Sequence, residues 1–336
     1  MNNSIDIIVT SYNRPSRVIE LVNKVYFDSG IKSIIVDSGN NDFSGLSVGK
    51  IIKTTHKNQP YQRYLGFTIS KANWLLYLDD DMEPIEGWYQ QIKSLIVTHS
   101  DKAMIGICYK DKHLNTFLER TPKSALKKFV NNQFINNLRV VTGYPLLPQG
   151  VYYKNGVKGS MPNNSGETEH LSGGVFLAQR DRLYEDFNMQ LFDFYEQRLG
   201  KGEDGILSYT VSKSASVYYY SKQLFWHNDQ GNSVYTRNEF QFNKIQALSR
   251  AYLNLEYYRL NKKRLLYARL SYVNYGFWRF IGLFMNFLIQ PSKTRFQGLR
   301  GSLIGWFIGM CIRYDETCSR NTIWINHAIN DRDASR

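Results

Sequence analysis

Asp79, Asp80 and Asp81 stand together directly behind the apolar run Trp74-Leu75-Leu76-Tyr77-Leu78. A run of that kind reads as a buried strand, so its carboxyl end sets three carboxylates at the rim of a sheet. Adjacent like charges repel, and the cluster needs either a solvated turn or a compensating cation. A divalent metal carrying a diphosphate is such a cation, because hard cations prefer oxygen ligands. A solvated acidic turn ahead of Met82-Glu83-Pro84 is the plain alternative. Glu203 and Asp204 form a second acidic pair, ahead of a helical segment from Gly205 to Ser212. The dipole at a helix start favours acids there, and a carboxylate can also take a proton from a hydroxyl. His227 follows in Trp226-His227-Asn228-Asp229, where an imidazole suits a metal or a structural hydrogen bond.

These residues need a frame, and the first half of the chain supplies one by alternating strand and helix. Ile5 to Val9 reads as a strand, and Pro15 suits the first turn of the helix that carries Val18, Leu21, Val22 and Val25. Ser33 to Val36, Lys50 to Thr54, Trp74 to Leu78 and Ala103 to Tyr109 read as further strands. Helices are expected over Tyr61 to Lys71 and Ile85 to Thr98. Such alternation implies an α/β fold, a mostly parallel sheet covered on both faces. Ligands of such sheets bind beyond the carboxyl ends of the strands. The clusters Thr10 to Arg14, Asp37 to Asn40 and Asp79 to Asp81 all fall at such ends. Lys110 to Gly166 reads as an elaborated insertion that could include a hairpin, Leu171 to Ala178 as a strand, and Ser216 to Tyr220 as another before a polar loop. From Tyr235 onward the pattern is helical.

In order and spacing these clusters resemble the family 2 glycosyltransferases with the GT-A fold, over about Ile5 to Asn228. Ile7-Ile8-Val9-Thr10-Ser11-Tyr12-Asn13-Arg14 looks like that family's opening strand and nucleotide-binding turn, and Ile34-Ile35-Val36-Asp37-Ser38-Gly39 like its second strand. Gln62-Arg63-Tyr64-Leu65-Gly66 looks like its helix start, and Leu78-Asp79-Asp80-Asp81 is similar to its metal-binding DXD motif. Ser172-Gly173-Gly174-Val175-Phe176 looks like the acceptor-side strand, and Gly202-Glu203-Asp204 resembles the catalytic Glu-Asp pair. Each motif is weak alone; the ordered set is strong.

The resemblance implies a GT-A (Rossmann-like) mixed, mostly parallel sheet flanked by helices, with a C-terminal helical extension. Residues 1–232 would be the catalytic domain, 1–109 binding the nucleotide sugar and 110–232 the acceptor; 233–336 would be the extension. It also implies roles. Asp81 is the expected direct ligand of Mn²⁺ or Mg²⁺, with Asp79 and His227 as further ligands, and Asp80 is placed at the ribose. Thr10, Tyr12, Arg14 and Asp37 would line the nucleotide pocket. Tyr12 could stack on the base and Arg14 could reach a phosphate. The family's second acid is replaced by Ser38, which leaves the identity of the base open. Arg63 would contact the diphosphate or hold Asp79 in place. Asp204 is the candidate general base, with Glu203 orienting the acceptor or tuning it. Gly173, Gly174 and His170 are expected at the acceptor side. His56, His99, His113 and His327 carry no pattern and are expected at the surface.

The expected function is metal-dependent, inverting transfer of a sugar from a nucleotide-sugar donor to a glycan or lipid-linked acceptor, in bacterial surface polysaccharide synthesis. A sugar-nucleotide nucleotidyltransferase would open with a Gly-rich basic loop, whereas Thr10 to Pro15 holds no Gly and one basic residue. A non-catalytic basic module would leave the carboxylate clusters incidental. The net charge of +13 calls for an anionic partner, here a phosphorylated substrate or an anionic membrane surface rather than nucleic acid. The tail stretches Phe277 to Ile289 and Leu303 to Ile312 are apolar, aromatic and flanked by Arg or Lys, as interfacial helices are; packing on the catalytic domain or within a homo-oligomer is the alternative. Three cysteines without metal or redox spacing fit a reducing cytoplasm. The amino terminus lacks a basic n-region and a long apolar core, so no signal peptide is expected. The location expected is therefore cytoplasmic, peripheral on the inner face of the cell membrane.

Overall fold

The computed structural model of the chain describes residues 4–46, 48–112, 147–183, 189–196, 202–228 and 238–312, with 141–142, 145, 327–328 and 330–333 besides. The first part runs β1 (Ile5–Ser11), α1 (Pro15–Ser29), β2 (Ser33–Asp37), β3 (Lys50–Lys53), α2 (Gln59–Ile69), β4 (Trp74–Asp79), β5 (Met82–Pro84), α3 (Trp88–Thr98) and β6 (Met104–Asp111). Then come β7 (Tyr152–Tyr153), β8 (Val157–Lys158), β9 (Gly166–Glu167), β10 (Val175–Gln179), α4 (Arg180–Leu183), α5 (Gln190–Tyr195), α6 (Glu203–Val211) and β11 (Val217–His227). Three long helices follow: α7 (Glu239–Leu260), α8 (Leu265–Ile289) and α9 (Lys293–Met310). Residues 113–140 of the expected insertion, and with them His113, lie outside the described residues, as does Asp229; its hairpin is β7 paired with β8.

Nine strands make one mixed sheet in the order β3-β2-β1-β4-β10-β6-β11-β5, with β9 against β11. The block β3-β2-β1-β4 is parallel throughout, and β6 and β11 run parallel to each other. β10 is antiparallel to both of its neighbours, β4 and β6. That reversal has a consequence for the site: the start of β10, not its end, lies at the rim where β4 ends. The Gly173-Gly174 pair is thereby delivered next to Asp79. β11 shifts register twice, between Tyr220 and Gln223 and between Gln223 and Phe225. It is therefore not the short strand ending at Tyr220 that the polar residues imply; bulges let a strand carry them and bend, and His227 stands at its end.

Successive side chains of the central strands point to opposite faces. Ile8, Val36, Leu75 and Tyr77 join one core with residues of α2, α5, α6 and α7. Ile7, Val9, Ile35, Leu76 and Leu78 join the other with residues of α1 and α3. The first core includes Tyr252, Leu253 and Tyr257 of α7, so the C-terminal helices are built onto the sheet through their first member. α9 then lies close along α7. A β-carbon on Gly301 would overlap the carbonyl oxygen of Phe240, and one on Gly305 would meet Ala247. Among the histidines expected at the surface, His56 and His327 instead meet ring to ring at 4.6 Å, and His99 stacks on Tyr218 at 4.2 Å.

Candidate active site

The rim above β1, β4 and β10 gathers most of the nominated residues into two linked groups. In the first, Asp79 closes β4 with its N–H donating to the Gly174 carbonyl at 2.9 Å. Its Oδ1 accepts from Gln59 Nε2 at 2.7 Å, from Arg63 Nη2 at 3.2 Å and from Thr10 Oγ1 at 3.5 Å. Arg63 is 2% exposed, and its other terminal nitrogen donates to Asp204 Oδ1. One guanidinium thus bridges the triplet's first carboxylate and the second acidic pair. Arg63 comes from α2, an amphipathic helix so deeply set that even its polar Gln62 is buried, donating to the Ser11 and Val36 carbonyls at 2.8 Å. Burial works against the Arg63 charge, and Asp204, Asp79 and Glu203 outweigh it and raise its pKa. A cation shut away like this is tolerable only with such partners.

Gly173 presses directly on Asp204: a β-carbon there would overlap Asp204 Oδ2. Gly174 holds φ +97°, a left-handed backbone that favours glycine, and a β-carbon on it would come within 2.6 Å of Met82. α6 is tied to the same segment, because Ser208 Oγ donates to the Asp204 carbonyl at 2.7 Å and accepts from Leu171 N–H at 2.8 Å. Burial, reinforced by the neighbouring Asp204, pushes the Glu203 carboxyl up to about 8. At neutral pH the acidic pair therefore includes a carboxyl that keeps its proton.

The second group surrounds the turn after β4. Arg14 Nη1 lies 3.0 Å from Asp80 Oδ1 and 3.2 Å from Asp81 Oδ2. His227 Nε2 faces Asp81 Oδ2 at 3.5 Å, and its Nδ1 faces Asp111 Oδ2 at 3.8 Å. The three carboxylates of the triplet are chemically distinct. Burial raises Asp79 to about 6 against the pull of Arg63, and raises Asp80 to about 7 against the pull of Arg14. Burial acts on Asp81 in the same sense, yet His227 and Arg14 overcome it and hold that carboxyl below the usual range. Asp81 is the member that carries a firm negative charge.

Asp81 Oδ1 is buried and meets no hydrogen-bond donor. An ionised, unpartnered oxygen beside an imidazole nitrogen fits a hard divalent cation. Among the described residues, no group of three or more His, Cys, Asp or Glu is arranged to hold a metal ion. The donor set therefore fits a cation that takes most of its ligands from phosphate oxygens and water, as Mg²⁺ does.

Two nominated residues stand apart. Asp37 is 0% exposed, and its oxygens accept from Asn41 Nδ2 at 2.7 Å and Lys53 Nζ at 2.6 Å. It braces its own turn, where an open carboxylate for the nucleotide was expected. His170 is 1% exposed beside Tyr152, and burial together with Lys158 lowers its pKa to about 4. This imidazole is neutral and enclosed, where the sequence reading expected it at the acceptor side. Tyr12 is half-buried at the edge of the rim, with Lys57 Nζ 5.5 Å from its ring centroid. Sequence reasoning missed Gln59, Tyr109 and Asp111. Tyr109 approaches Gly174, and burial together with Asp204, Asp79 and Asp81 raises its phenol pKa, against a hydrogen bond with Ser172. Tyr109 and Asp111 end β6, so the rule that nominates strand ends would have found both; Gln59 has no such signal.

Comparison with known proteins bears on the fold and on part of the chain. Residues 6–146 match the family model described as Glycosyl transferase family 2. No curated protein sequence matches the chain. In fold the chain is similar to the crystal structure of S. aureus TarS 1-349 in complex with UDP-GlcNAc, at 13% identity, covering 91% of this chain and 81% of that one, with a TM-score of 0.51. The crystal structure of S. aureus TarS 1-349 alone gives 12% identity, 91% and 80% coverage and a TM-score of 0.48. The fold is the expected GT-A fold, with its helical C-terminal part.

Proposed function

We propose that this glycosyltransferase, which resembles family 2 over residues 6–146, moves a sugar from a nucleotide-sugar donor to a glycan or lipid-linked acceptor by metal-dependent inversion. The observation that carries the reading is Arg63, which holds Asp79 of the triplet and Asp204 of the acidic pair on one guanidinium. A donor-side carboxylate and a base are thereby fixed at a single distance. Direct displacement needs that arrangement, because the leaving group and the attacking hydroxyl must lie in line across one carbon.

Asp204 takes the proton of the acceptor hydroxyl as its oxygen bonds to the anomeric carbon. The bond from that carbon to the diphosphate oxygen breaks, and the electron pair leaves with the nucleoside diphosphate. Glu203, protonated at neutral pH, donates a hydrogen bond that orients the acceptor and keeps a second negative charge away from Asp204. Thr10, Tyr12 and Arg14 line the nucleotide side, with Arg14 turned by Asp80 and Asp81 toward the phosphates. Mn²⁺ or Mg²⁺, held by Asp81 and His227 with Asp79 behind them, would supply Lewis-acid stabilisation of the leaving diphosphate. The UDP-GlcNAc complex of the similar structure makes a UDP-sugar the first donor to test. A role in bacterial surface polysaccharide synthesis, peripheral on the inner face of the membrane and compatible with a homo-oligomer, completes the proposal. Residues 1–232 would form its catalytic domain and 233–336 its extension.

A thermal-shift panel of UDP, GDP, dTDP and CMP sugars, with and without Mn²⁺, tests it. Ligands that bind only the native state raise its stability. One donor class should raise the Tm in a metal-dependent way, and Asp81→Ala should remove the metal-dependent part. A panel without any metal-dependent shift would sink the reading.

A further inference from the structure

α8 is apolar on two opposite faces. Ala268, Tyr272, Tyr275 and Gly276 are buried toward the rest of the protein. On the other side Leu266, Leu270, Val273, Phe277, Phe284 and Leu288 recur at spacings of four, three, four, seven and four, which draws one line along the helix. Each of these six is between 38% and 64% exposed. Beside the line lies a cavity of about 160 Å³, lined by Ala251, Leu255, Val273 and Met310 among others, with Arg269 at its edge. An outward apolar stripe along a helix of 25 residues, about 37 Å long, is far more than scattered surface hydrophobics.

Charge says what covers it. From Lys262 through Ile312 the chain holds eight Lys and Arg and not one Asp or Glu. Lys262, Lys263 and Arg264 are exposed just ahead of α8, the helix end where the dipole disfavours cations. Lys293 and Arg295 are exposed just past its other end. A second copy of this surface would bring two unrelieved positive fields together. Anionic headgroups relieve both. No helix of the described residues is long and apolar enough to cross a membrane. A helix with an apolar stripe and basic flanks that cannot cross lies in the interface plane.

We infer that the outer face of α8 is a docking surface for an anionic phospholipid bilayer, its apolar line sunk at the headgroup boundary and Lys262, Lys263, Arg264, Arg269, Lys293 and Arg295 on the phosphates. This deepens the peripheral-membrane part of the proposal above and rests on that part alone.

The test is sedimentation of the full chain with phosphatidylcholine vesicles, with and without phosphatidylglycerol, in the absence of nucleotide sugar. The wild type should pellet with the anionic vesicles only, and salt should release it. Replacing Leu270, Phe277 and Leu288 together by Ser should lower partitioning by about tenfold for each side chain removed, with the Tm and nucleotide binding kept. If that triple variant fails to fold, the Lys262→Gln, Lys263→Gln, Arg264→Gln variant should lose its preference for anionic lipid. A wild type that ignores anionic vesicles, or binds neutral ones equally, overturns the inference. So does a wild-type oligomer that the triple variant dissociates without any vesicle binding. Turnover of a nucleotide sugar without vesicle binding sinks this inference alone; vesicle binding without turnover sinks the catalytic reading alone.

Discussion

At the scale of single residues, the site works by making like groups unlike. Arg63 and Arg14 divide the carboxylates between them, and burial then separates their proton affinities. Asp81 is held charged, whereas Asp79, Asp80 and Glu203 are pushed up to about 6, 7 and 8. Two expectations follow from Asp204 and Glu203 as a pair with different tasks. Asp204→Asn should bind donor with unchanged affinity and lose transfer by about 10²–10⁴-fold, the usual weight of a general base. Calorimetry of that variant with nucleotide and Mn²⁺ decides the matter, since lost binding would make Asp204 a donor ligand.

Glu203 gives a pH signature. Its pKa is raised from 4.5 to about 8 on folding, so the folded protein holds that proton more tightly than the unfolded chain. The resulting stability is fully present below about 4.5 and is lost as pH rises through about 8. Glu203→Gln keeps the neutral form at every pH. In melts of the ligand-free protein between pH 5 and 9, it should therefore flatten the decline in Tm that the wild type shows. A variant that declines in parallel with the wild type would remove Glu203 as the protonated partner.

At the scale of elements, direction and distance decide what residue type cannot. β10 runs against β4, and only for that reason does its first turn, with Gly173 and Gly174, meet Asp79 and Asp204. The spacing of the motifs along the chain carries no trace of this reversal, because strand pairing is a long-range contact. The acidic triplet was legible for the opposite reason: an apolar run followed by acids states its own local address. Asp37 and His170 show the limit of reading by motif. Their positions in the sequence are right for a site, yet burial encloses both, and burial is a property of what packs over a residue from elsewhere.

The glycines of α9 make the same point with a measurable consequence. Gly301 and Gly305 let α9 lie against the backbone of α7, which itself contributes to the core on one face of the sheet. Gly301→Ala forces a methyl group into the Phe240 carbonyl, so a loss of about 1–3 kcal/mol is expected, typical of overpacking. Urea unfolding measures it. Donor affinity in the native state should stay as it was, since α9 stands outside the rim; a variant of wild-type stability would mean that the two helices are not packed this closely.

At the scale of the whole molecule, charge is distributed unevenly. The excess of thirteen positive charges includes eight from Lys262 to Ile312, on helices that carry no part of the proposed chemistry. The rim is the reverse, a concentration of carboxylates of which Arg14 pairs with two, Asp80 and Asp81, and Arg63 with two more, Asp79 and Asp204. In the proposals above, the anionic surface lies against those helices and the diphosphate at the rim. Salt screens the exposed helices much more than the partly buried rim. Membrane release at raised ionic strength should accordingly come well before any loss of donor binding.

By itself the sequence determined the alternation of strand and helix, the clusters at Thr10 to Arg14 and Asp79 to Asp81, the Glu203-Asp204 pair, the basic charge of the tail and the family that these motifs resemble. Each of these is written in local order, in the period of apolar side chains and the residue types at the ends of runs. Only the tertiary structure decided that Arg63 joins two acidic motifs 141 and 16 positions away from it, and that Asp37 and His170 are closed. It likewise decided that the apolar tail divides into a packed helix with glycine contacts and an outward stripe. Those outcomes depend on which surfaces meet when the chain is closed on itself, and a residue's sequence neighbours do not specify its neighbours in space.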